Sequence, residues 1–332
     1  MLRFLGWLLV ACVLAGGLGT IAFQASPWPS AMVVRLLFDW QSQKTADAMS
    51  THVPDGVSAR IDETYDPADR DAKLDVFTPA RIEGTDTLLP TIVWIHGGGW
   101  VSGTKNHVAN YLRILAAEGF TVVGIDYSVA PGATYPTPIR QANAALAYLN
   151  QNAGRFHIDR SRLFLAGDSA GAQIAAQLAN VISVPSYASA VGIAPSIMRA
   201  QLRGVVLHCG AYDVNSIDLD GPFGGFVRSV LWSYFGTKDF LKDPKVAQAS
   251  VARYVTSDFP PMFISGGNDD PLTPQSRQMA EAVASKGVYV DSLFYPKSQR
   301  PALPHEYQFH LETDAARQAL ERSVRFVTAQ SE

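Results

Sequence analysis

Short apolar segments alternate with helix-favouring stretches from about residue 57 to the C-terminus. Residues 57–65 and 73–77 are predicted as opening strands, which we expect to be antiparallel. Six more strands are predicted at 91–96, 121–127, 162–166, 204–209, 261–265 and 289–295. Runs such as Ile92-Val93-Trp94-Ile95 are continuously apolar, which is typical of central strands buried on both faces. The pattern predicts an α/β fold with a mostly parallel central sheet flanked by helices.

The first 25 residues contain a long apolar run without charge. Phe4 to Phe23 covers about 20 residues, which is enough for a helix to cross a bilayer. We therefore expect residues 1–25 to form an N-terminal transmembrane anchor or signal segment, with the membrane as a partner. Arg3 precedes the run, so the positive-inside tendency places the folded body outside the cytoplasm. Secretion after signal cleavage is the alternative, although residues 22–26 offer no clean cleavage site.

Residues 26–56 form an amphipathic region that we interpret as a lid or linker. Apolar residues recur there at helical spacing with polar residues on the other side: Val33, Leu36, Leu37 and Trp40 against Arg35, Asp39 and Gln43. We expect the apolar side to pack on the body as part of a lid; a helix resting on a membrane surface is the alternative. A lid insertion is also expected near 218–258, which is too long for an ordinary connection. The main domain then spans 57–328.

Composition narrows the function classes. Hydrophobic residues make up 47% of the 332 residues and charged residues 17%, which suits a folded chain with a sizeable core. The formal net charge of −3 gives no reason to expect nucleic acid as a partner. Two cysteines, Cys12 and Cys209, are too few for a disulfide framework, and no Cys/His cluster has zinc-site spacing. We expect neither a metal nor a cofactor.

The segment Gly167-Asp168-Ser169-Ala170-Gly171 fits the G-x-S-x-G pattern. It follows a predicted strand directly and precedes a helix directly. A serine at such a turn is held in a strained backbone conformation with its hydroxyl exposed, and the helix N-terminus favours negative charge beside it. The context predicts that Ser169 is a nucleophile.

Upstream, His96-Gly97-Gly98-Gly99-Trp100 ends another predicted strand. Its glycines allow backbone N–H groups to approach a substrate oxygen without side-chain obstruction. A phosphate-binding loop would need a Lys-Ser/Thr ending or G-x-G-x-x-G spacing, and this loop has neither. We therefore expect an oxyanion hole here.

A nucleophilic serine needs a base and an acid, and in this type of fold they follow in the order Ser, Asp/Glu, His. Among the histidines after Ser169, His305 lies in a loop just after the last predicted strand, and it is the predicted base. His310 falls within a helical pattern and His208 within a strand. For the acid, Asp269 and Asp270 both follow the strand at 261–265, and Asp213 is a further candidate.

Together these motifs resemble the hormone-sensitive-lipase-like (family IV) esterases of the α/β-hydrolase superfamily, over about residues 57–325. The resemblance rests on the glycine loop, on Asp126-Tyr127-Ser128-Val129-Ala130-Pro131, on the serine pentapeptide and on Asp270-Pro271-Leu272. It implies the α/β-hydrolase fold and Asp270 as the acid. It also implies Gly98, Gly99 and Ala170 as oxyanion donors.

The departures from that family are informative. His305 is followed by Glu306-Tyr307 rather than Gly-Phe, Ala172 replaces a glycine, and Ser128 replaces an arginine. At these positions and at Trp100, the chain resembles feruloyl-esterase-like and formamidase-like hydrolases. The resemblance therefore indicates the mechanism more firmly than it indicates which leaving group the substrate carries.

The resemblance implies a serine carboxylic ester hydrolase that acts on small or medium acyl esters through an acyl-enzyme on Ser169. An amidase or formamidase is one alternative. A catalytically inactive hydrolase-fold binding protein is another.

Overall fold

A single eight-stranded sheet forms the centre of the protein. The computed structural model describes residues 4, 7, 16–17, 19–221 and 224–332. The strands are β1 (Val57–Thr64), β2 (Lys73–Pro79), β3 (Leu89–Ile95), β4 (Thr121–Ile125), β5 (Ile158–Asp168), β6 (Leu202–His208), β7 (Met262–Gly266) and β8 (Val290–Phe294). Each of the eight predicted strands overlaps one of them.

The strand order is β1-β2-β4-β3-β5-β6-β7-β8. β1 pairs with β2, and β2 with β4, in antiparallel fashion, whereas every pair from β4 to β8 is parallel. The predicted antiparallel opening and the mostly parallel sheet flanked by helices are therefore confirmed. Because the carboxyl ends of parallel strands lie at one edge, the loops after β3, β5, β7 and β8 are brought near one another.

From Trp28 onward, nine α-helices are described: α1 (Trp28–Met49), α2 (Lys105–Ala117), α3 (Thr137–Gln151), α4 (Ser169–Ser183), α5 (Pro185–Val191), α6 (Gly224–Phe235), α7 (Pro244–Ala249), α8 (Thr273–Ala284) and α9 (Asp314–Ser331). The sheet separates two apolar cores. Val93 and Ile95 of β3 join the core under α3, α4 and α8, while Ile92 and Trp94 join the core under α2 and α9. This alternation explains why β3 is apolar at every position.

The insertion near 218–258 contains α6 and α7 and stands between β6 and β7. Its helix α6 packs against α1, with the rings of Phe38 and Phe226 5.6 Å apart. The role of this insertion as a lid stays a prediction.

Helix α1 is oriented opposite to our expectation. The prediction that its apolar side packs on the body is wrong, because Val33, Leu36, Leu37 and Trp40 are all exposed. We call these four residues, together with Trp28 and Met32, the outer face of α1. The opposite side of the helix contacts the body through both apolar and polar groups, including buried Ala31 and Val34.

The predicted span from Phe4 to Phe23 lies largely outside the described residues. Residues 19–25 are helical, and the side chains of Ile21 and Phe23 are exposed. In the described part of the chain, no single helix has the length and hydropathy needed to cross a membrane; the bent pair α4 and α5 meets that test by length and composition alone.

Candidate active site

Ser169 lies at the sharp turn between β5 and α4, with a backbone φ of +50°. Space around the turn is minimal. A β-carbon at Gly167 would stand 2.7 Å from the carbonyl oxygen of Ile95, and one at Gly171 would overlap that oxygen. Glycine at both positions therefore lets the turn approach β3, and it allows a strained serine at the start of a buried helix.

His305 bridges Ser169 and Asp270. Its Nε2 lies 2.9 Å from the Ser169 hydroxyl oxygen, and its Nδ1 lies 2.9 Å from Oδ1 of Asp270. The histidine stands in the loop between β8 and α9, one third exposed, whereas the Asp270 carboxyl is buried. The structure thus brings the three predicted catalytic residues into hydrogen-bonding contact, the geometry that a serine, its base and its orienting acid require.

The competing candidates lie elsewhere. Asp269 is exposed although it is adjacent to Asp270, and Asp213 pairs with Arg253. His310 lies 3.4 Å from Glu312 at the surface, and buried His208 is bonded to the Ser265 hydroxyl. None of these four is bonded to Ser169 or His305 in the described part of the structure.

Opposing influences act on the pKa of the His305 imidazole. Burial alone would lower the pKa of His305, but its contacts with Cys209 and Asp270 raise it well above the ordinary value. Burial also raises the pKa of the Cys209 thiol to about 11, so this cysteine is a neutral neighbour at pH 7. With that thiol neutral, the hydrogen bond to Asp270 is the remaining contact that favours the imidazolium.

The loop after β3, residues 96–103, approaches Ser169 with its glycines in backbone conformations that favour glycine. Gly98 and Gly99 have φ values of +109° and +60°, and a β-carbon at Gly98 would overlap the Ser102 carbonyl oxygen. In the described residues, neither the Gly98 N–H nor the Gly99 N–H donates to a protein acceptor. With Ala170 in the first turn of α4, they fit the expected donors of an oxyanion hole.

Tyr127 and Asp168 both help to hold this loop in place. The Tyr127 hydroxyl donates to the carbonyl oxygen of His96 at 2.9 Å, and its ring stacks on the His96 ring at 4.3 Å. The Gly97 N–H donates to Oδ2 of Asp168 at 2.8 Å. The Asp-Tyr stretch of the resemblance therefore supports the loop rather than touching the reacting atoms.

Asp168 has a structural role that was not predicted from the sequence. Its other oxygen accepts the Trp94 indole N–H at 2.8 Å, and its carboxyl is buried beside Glu306. Burial, and next the negative charge of Glu306, raise the pKa of Asp168 well above its usual range, although the two N–H donors oppose this. The position of Asp168 inside the serine pentapeptide was the available signal.

Helix α1 and helix α6 lie over the loop. A β-carbon at Gly99 would stand 3.6 Å from the ring of Phe38 and 3.8 Å from Val230. Arg35 donates to the carbonyl oxygen of Val101 at 2.8 Å and to that of Ala130. Residues before the main domain therefore form part of the wall around the candidate oxyanion hole.

Cys209, Asp270 and His305 are also arranged so that they could hold a metal ion. Their ligand atoms all lie within 4.8 Å of one another. A metal bound there would compete with the hydrogen bond between His305 and Asp270, so occupancy is expected to inhibit a serine mechanism.

Comparison with known proteins identifies a family and a fold. The BD-FAE family model matches residues 74–283. Esterase B from Lactobacillus rhamnosis (HN001) superposes with a TM-score of 0.79 at 24% identity, covering 92% of this chain and 96% of the esterase. The hyperthermophilic esterase from the archaeon Pyrobaculum calidifontis gives a TM-score of 0.71 at 22% identity, with 96% and 97% covered. A bacterial heroin esterase gives 0.70 at 23% identity, with 90% and 91% covered.

The α/β-hydrolase fold and the resemblance to the family IV esterases are confirmed by these matches. The family model spans more than half of the chain, including the candidate oxyanion loop, Ser169 and Asp270. The chain therefore belongs to the BD-FAE family, and it is an esterase-type serine hydrolase.

Proposed function

We propose that the protein hydrolyses carboxylic esters with small or medium acyl chains through an acyl-enzyme on Ser169. The observation that carries this proposal is the pair of 2.9 Å hydrogen bonds that His305 makes to Ser169 and Asp270.

In this mechanism His305 accepts the Ser169 proton at Nε2 as Oγ attacks the ester carbonyl carbon. Asp270 holds the Nδ1–H tautomer and stabilises the imidazolium that forms. The backbone N–H groups of Gly98, Gly99 and Ala170 donate to the oxyanion. His305 then gives its proton to the leaving alkoxide, and water hydrolyses the acyl-enzyme with the same histidine as base.

The expected acyl size has support from one of the structural neighbours. Esterase B from Lactobacillus rhamnosis has been crystallised with a tributyrin phosphonate inhibitor. The two proteins are 25% identical, and the match covers 91% of this chain and 96% of the esterase. A phosphonate of that kind mimics the tetrahedral species formed on a serine. A short acyl chain is therefore the first substrate to test.

A fluorophosphonate probe tests the nucleophile. The unsubstituted protein should be labelled covalently, and Ser169→Ala should not be. Ser276→Ala is the matched control, because Ser276 is a buried serine whose hydroxyl has no partner in the described residues. Equal labelling of Ser169→Ala would refute the assignment.

Ester and amide preference require a separate measurement. Rates on p-nitrophenyl esters of increasing acyl length, an anilide and a formyl amide, compared side by side, should be highest for the shorter esters. Faster turnover of the formyl amide would replace the ester proposal with the formamidase alternative.

We also propose that residues 1–25 anchor the protein in a membrane with the catalytic domain outside the cytoplasm. The uncharged run from Phe4 to Phe23 after Arg3 supports this. Full-length mass in the membrane fraction, with the catalytic domain open to external protease on intact cells, is expected. A shortened chain in the medium would indicate signal cleavage instead.

A further inference from the structure

The outer face of α1 is an unusual surface for a folded protein in water. Its six side chains, from Trp28 to Trp40, are between 43% and 68% exposed. On a helical projection they cover about half of the cylinder. Contiguous apolar patches on such a scale mark sites that contact another apolar phase or a partner.

The charged residues of this stretch are bonded to the body. Arg35 and Asp39 are its charges between Trp28 and Trp40, and both are turned to the body. Arg35 donates hydrogen bonds to the carbonyl oxygens of Val101 and Ala130. The Ser102 hydroxyl donates a hydrogen bond to Oδ1 of Asp39, with the two oxygens 2.6 Å apart. The polar contacts therefore fix the helix with its apolar side outward.

Three observations favour a lipid bilayer as the occupant of this face. The uncharged run from Phe4 to Phe23 ends only five residues before α1 begins, so a membrane-inserted run would hold α1 at the bilayer surface. Trp28 and Trp40 stand at the two ends of the patch, and tryptophan favours the membrane interface. Lys44 lies 4.6 Å over the Trp40 ring, where an ammonium group can reach lipid headgroups.

We propose that the outer face of α1 docks on the surface of a lipid bilayer and sets the candidate active site against the lipid. The same helix carries Phe38, whose ring would stand 3.6 Å from a β-carbon at Gly99 of the oxyanion loop and packs against the exposed ring of Phe226 on α6. Docking therefore places the wall of the site about one helix diameter, roughly 10 Å, from the lipid. This arrangement favours esters dissolved in the bilayer over esters in water as substrates. That substrate class rests on the proposed function.

A lipid-dependent probe on the full-length chain tests the docking itself. Leu36→Cys, in a Cys12→Ser background, is labelled with an environment-sensitive fluorophore; Cys209 is fully buried and does not react. In phosphatidylcholine vesicles with phosphatidylglycerol, the label should be quenched by lipids that carry a bromine on the acyl chain. Met198→Cys is the control. Met198 is equally exposed but precedes β6, so it lies where the parallel strands begin and not at their carboxyl ends, where the candidate site is.

A charge substitution tests the consequence for substrate. In vesicles, Leu36→Glu with Leu37→Glu should lower the rate on a bilayer-dissolved diacylglycerol by roughly fivefold or more. Hydrolysis of water-soluble p-nitrophenyl acetate should change less than about twofold, because neither residue touches the site. Met198→Glu should alter neither rate.

Three other outcomes would overturn either the docking or the proposed function. A label at residue 36 that lipid-borne bromine does not quench overturns the docking, as it would if a second copy or residues 1–18 covered the face. Equal losses on both esters also overturn it. An unsubstituted chain that hydrolyses neither ester refutes the proposed function alone, because the quenching measurement does not depend on catalysis.

Discussion

Replacing Asp270 by Asn removes one negative charge from the candidate site and preserves the shape of the side chain. Oδ1 of Asp270 accepts two hydrogen bonds at 2.9 Å, from His305 Nδ1 and from the Leu272 backbone N–H. The backbone N–H can only donate, so it should hold the asparagine with its carbonyl oxygen towards both donors. The Nδ1–H tautomer of His305 is then retained, and the loss is one of charge.

The magnitude follows from this geometry. A hydrogen bond to a charged group contributes about 1.5–3 kcal/mol and a neutral one about 1 kcal/mol, so Asp270→Asn should lose about 0.5–2 kcal/mol in the transition state. That corresponds to a fall in kcat/KM of about 2–30-fold. Asp270→Ala should lose far more, since an imidazole without its orienting group falls towards the roughly 10⁴-fold loss seen when a triad adopts the wrong tautomer.

The assay is kcat/KM on a water-soluble p-nitrophenyl ester as a function of pH. Activity should rise with pH as His305 loses its proton. Because the contact with Asp270 raises the pKa of His305 and burial lowers it, Asp270→Asn should move this limb to lower pH. Asp269→Asn is the matched control and should leave both rate and profile unchanged, since Asp269 is exposed. If Asp270→Asn is as inactive as Asp270→Ala, or the limb does not move, the tautomer reasoning is refuted.

Two further predictions concern the turn and the core. Gly171→Ala should abolish fluorophosphonate labelling and lower the unfolding free energy by about 1–3 kcal/mol, because the added methyl group overlaps the Ile95 carbonyl oxygen. Gly225→Ala, with open space at its β-carbon, should do neither, as thermal unfolding would show. Burial lowers the pKa of His208 to about 3 from an ordinary 6.5, so unfolding takes up a proton and stability falls as the pH drops from about 6.5. In urea unfolding between those values, His208→Asn should reduce the slope of unfolding free energy against pH by about 1.4 kcal/mol per pH unit; coinciding slopes would contradict a neutral, buried His208.

The central strands were predictable because each contains an apolar run bounded by polar or glycine-rich turns. The C-terminal parts of β3 and β5, and nearly all of β4, β6 and β7, are buried, so even their positions along the chain emerge from hydropathy. The order of Ser169 and His305 along the chain, with the strand before each, likewise identified two members of the candidate triad.

The residues alone did not separate Asp270 from Asp269. Both follow β7, and only the folded turn buries one carboxyl against His305 while exposing the other. Periodicity identified the two sides of α1 but not which side meets the body. That choice depends on Arg35 and Asp39 bonding to Val101 and Ser102, more than 60 residues away in sequence.

The carboxyl of Asp168 has a consequence for how this enzyme can diversify. It immediately precedes the nucleophile and also accepts the N–H of Gly97, so one side chain fixes the spacing between Ser169 and the loop that would receive the oxyanion. Neither part can shift without the other, which makes the reaction geometry resistant to drift. Within the described residues, helices α1 and α6 make no hydrogen bond to Ser169 or Asp168, and their inner surfaces are where changes of substrate range can accumulate at little cost to chemistry.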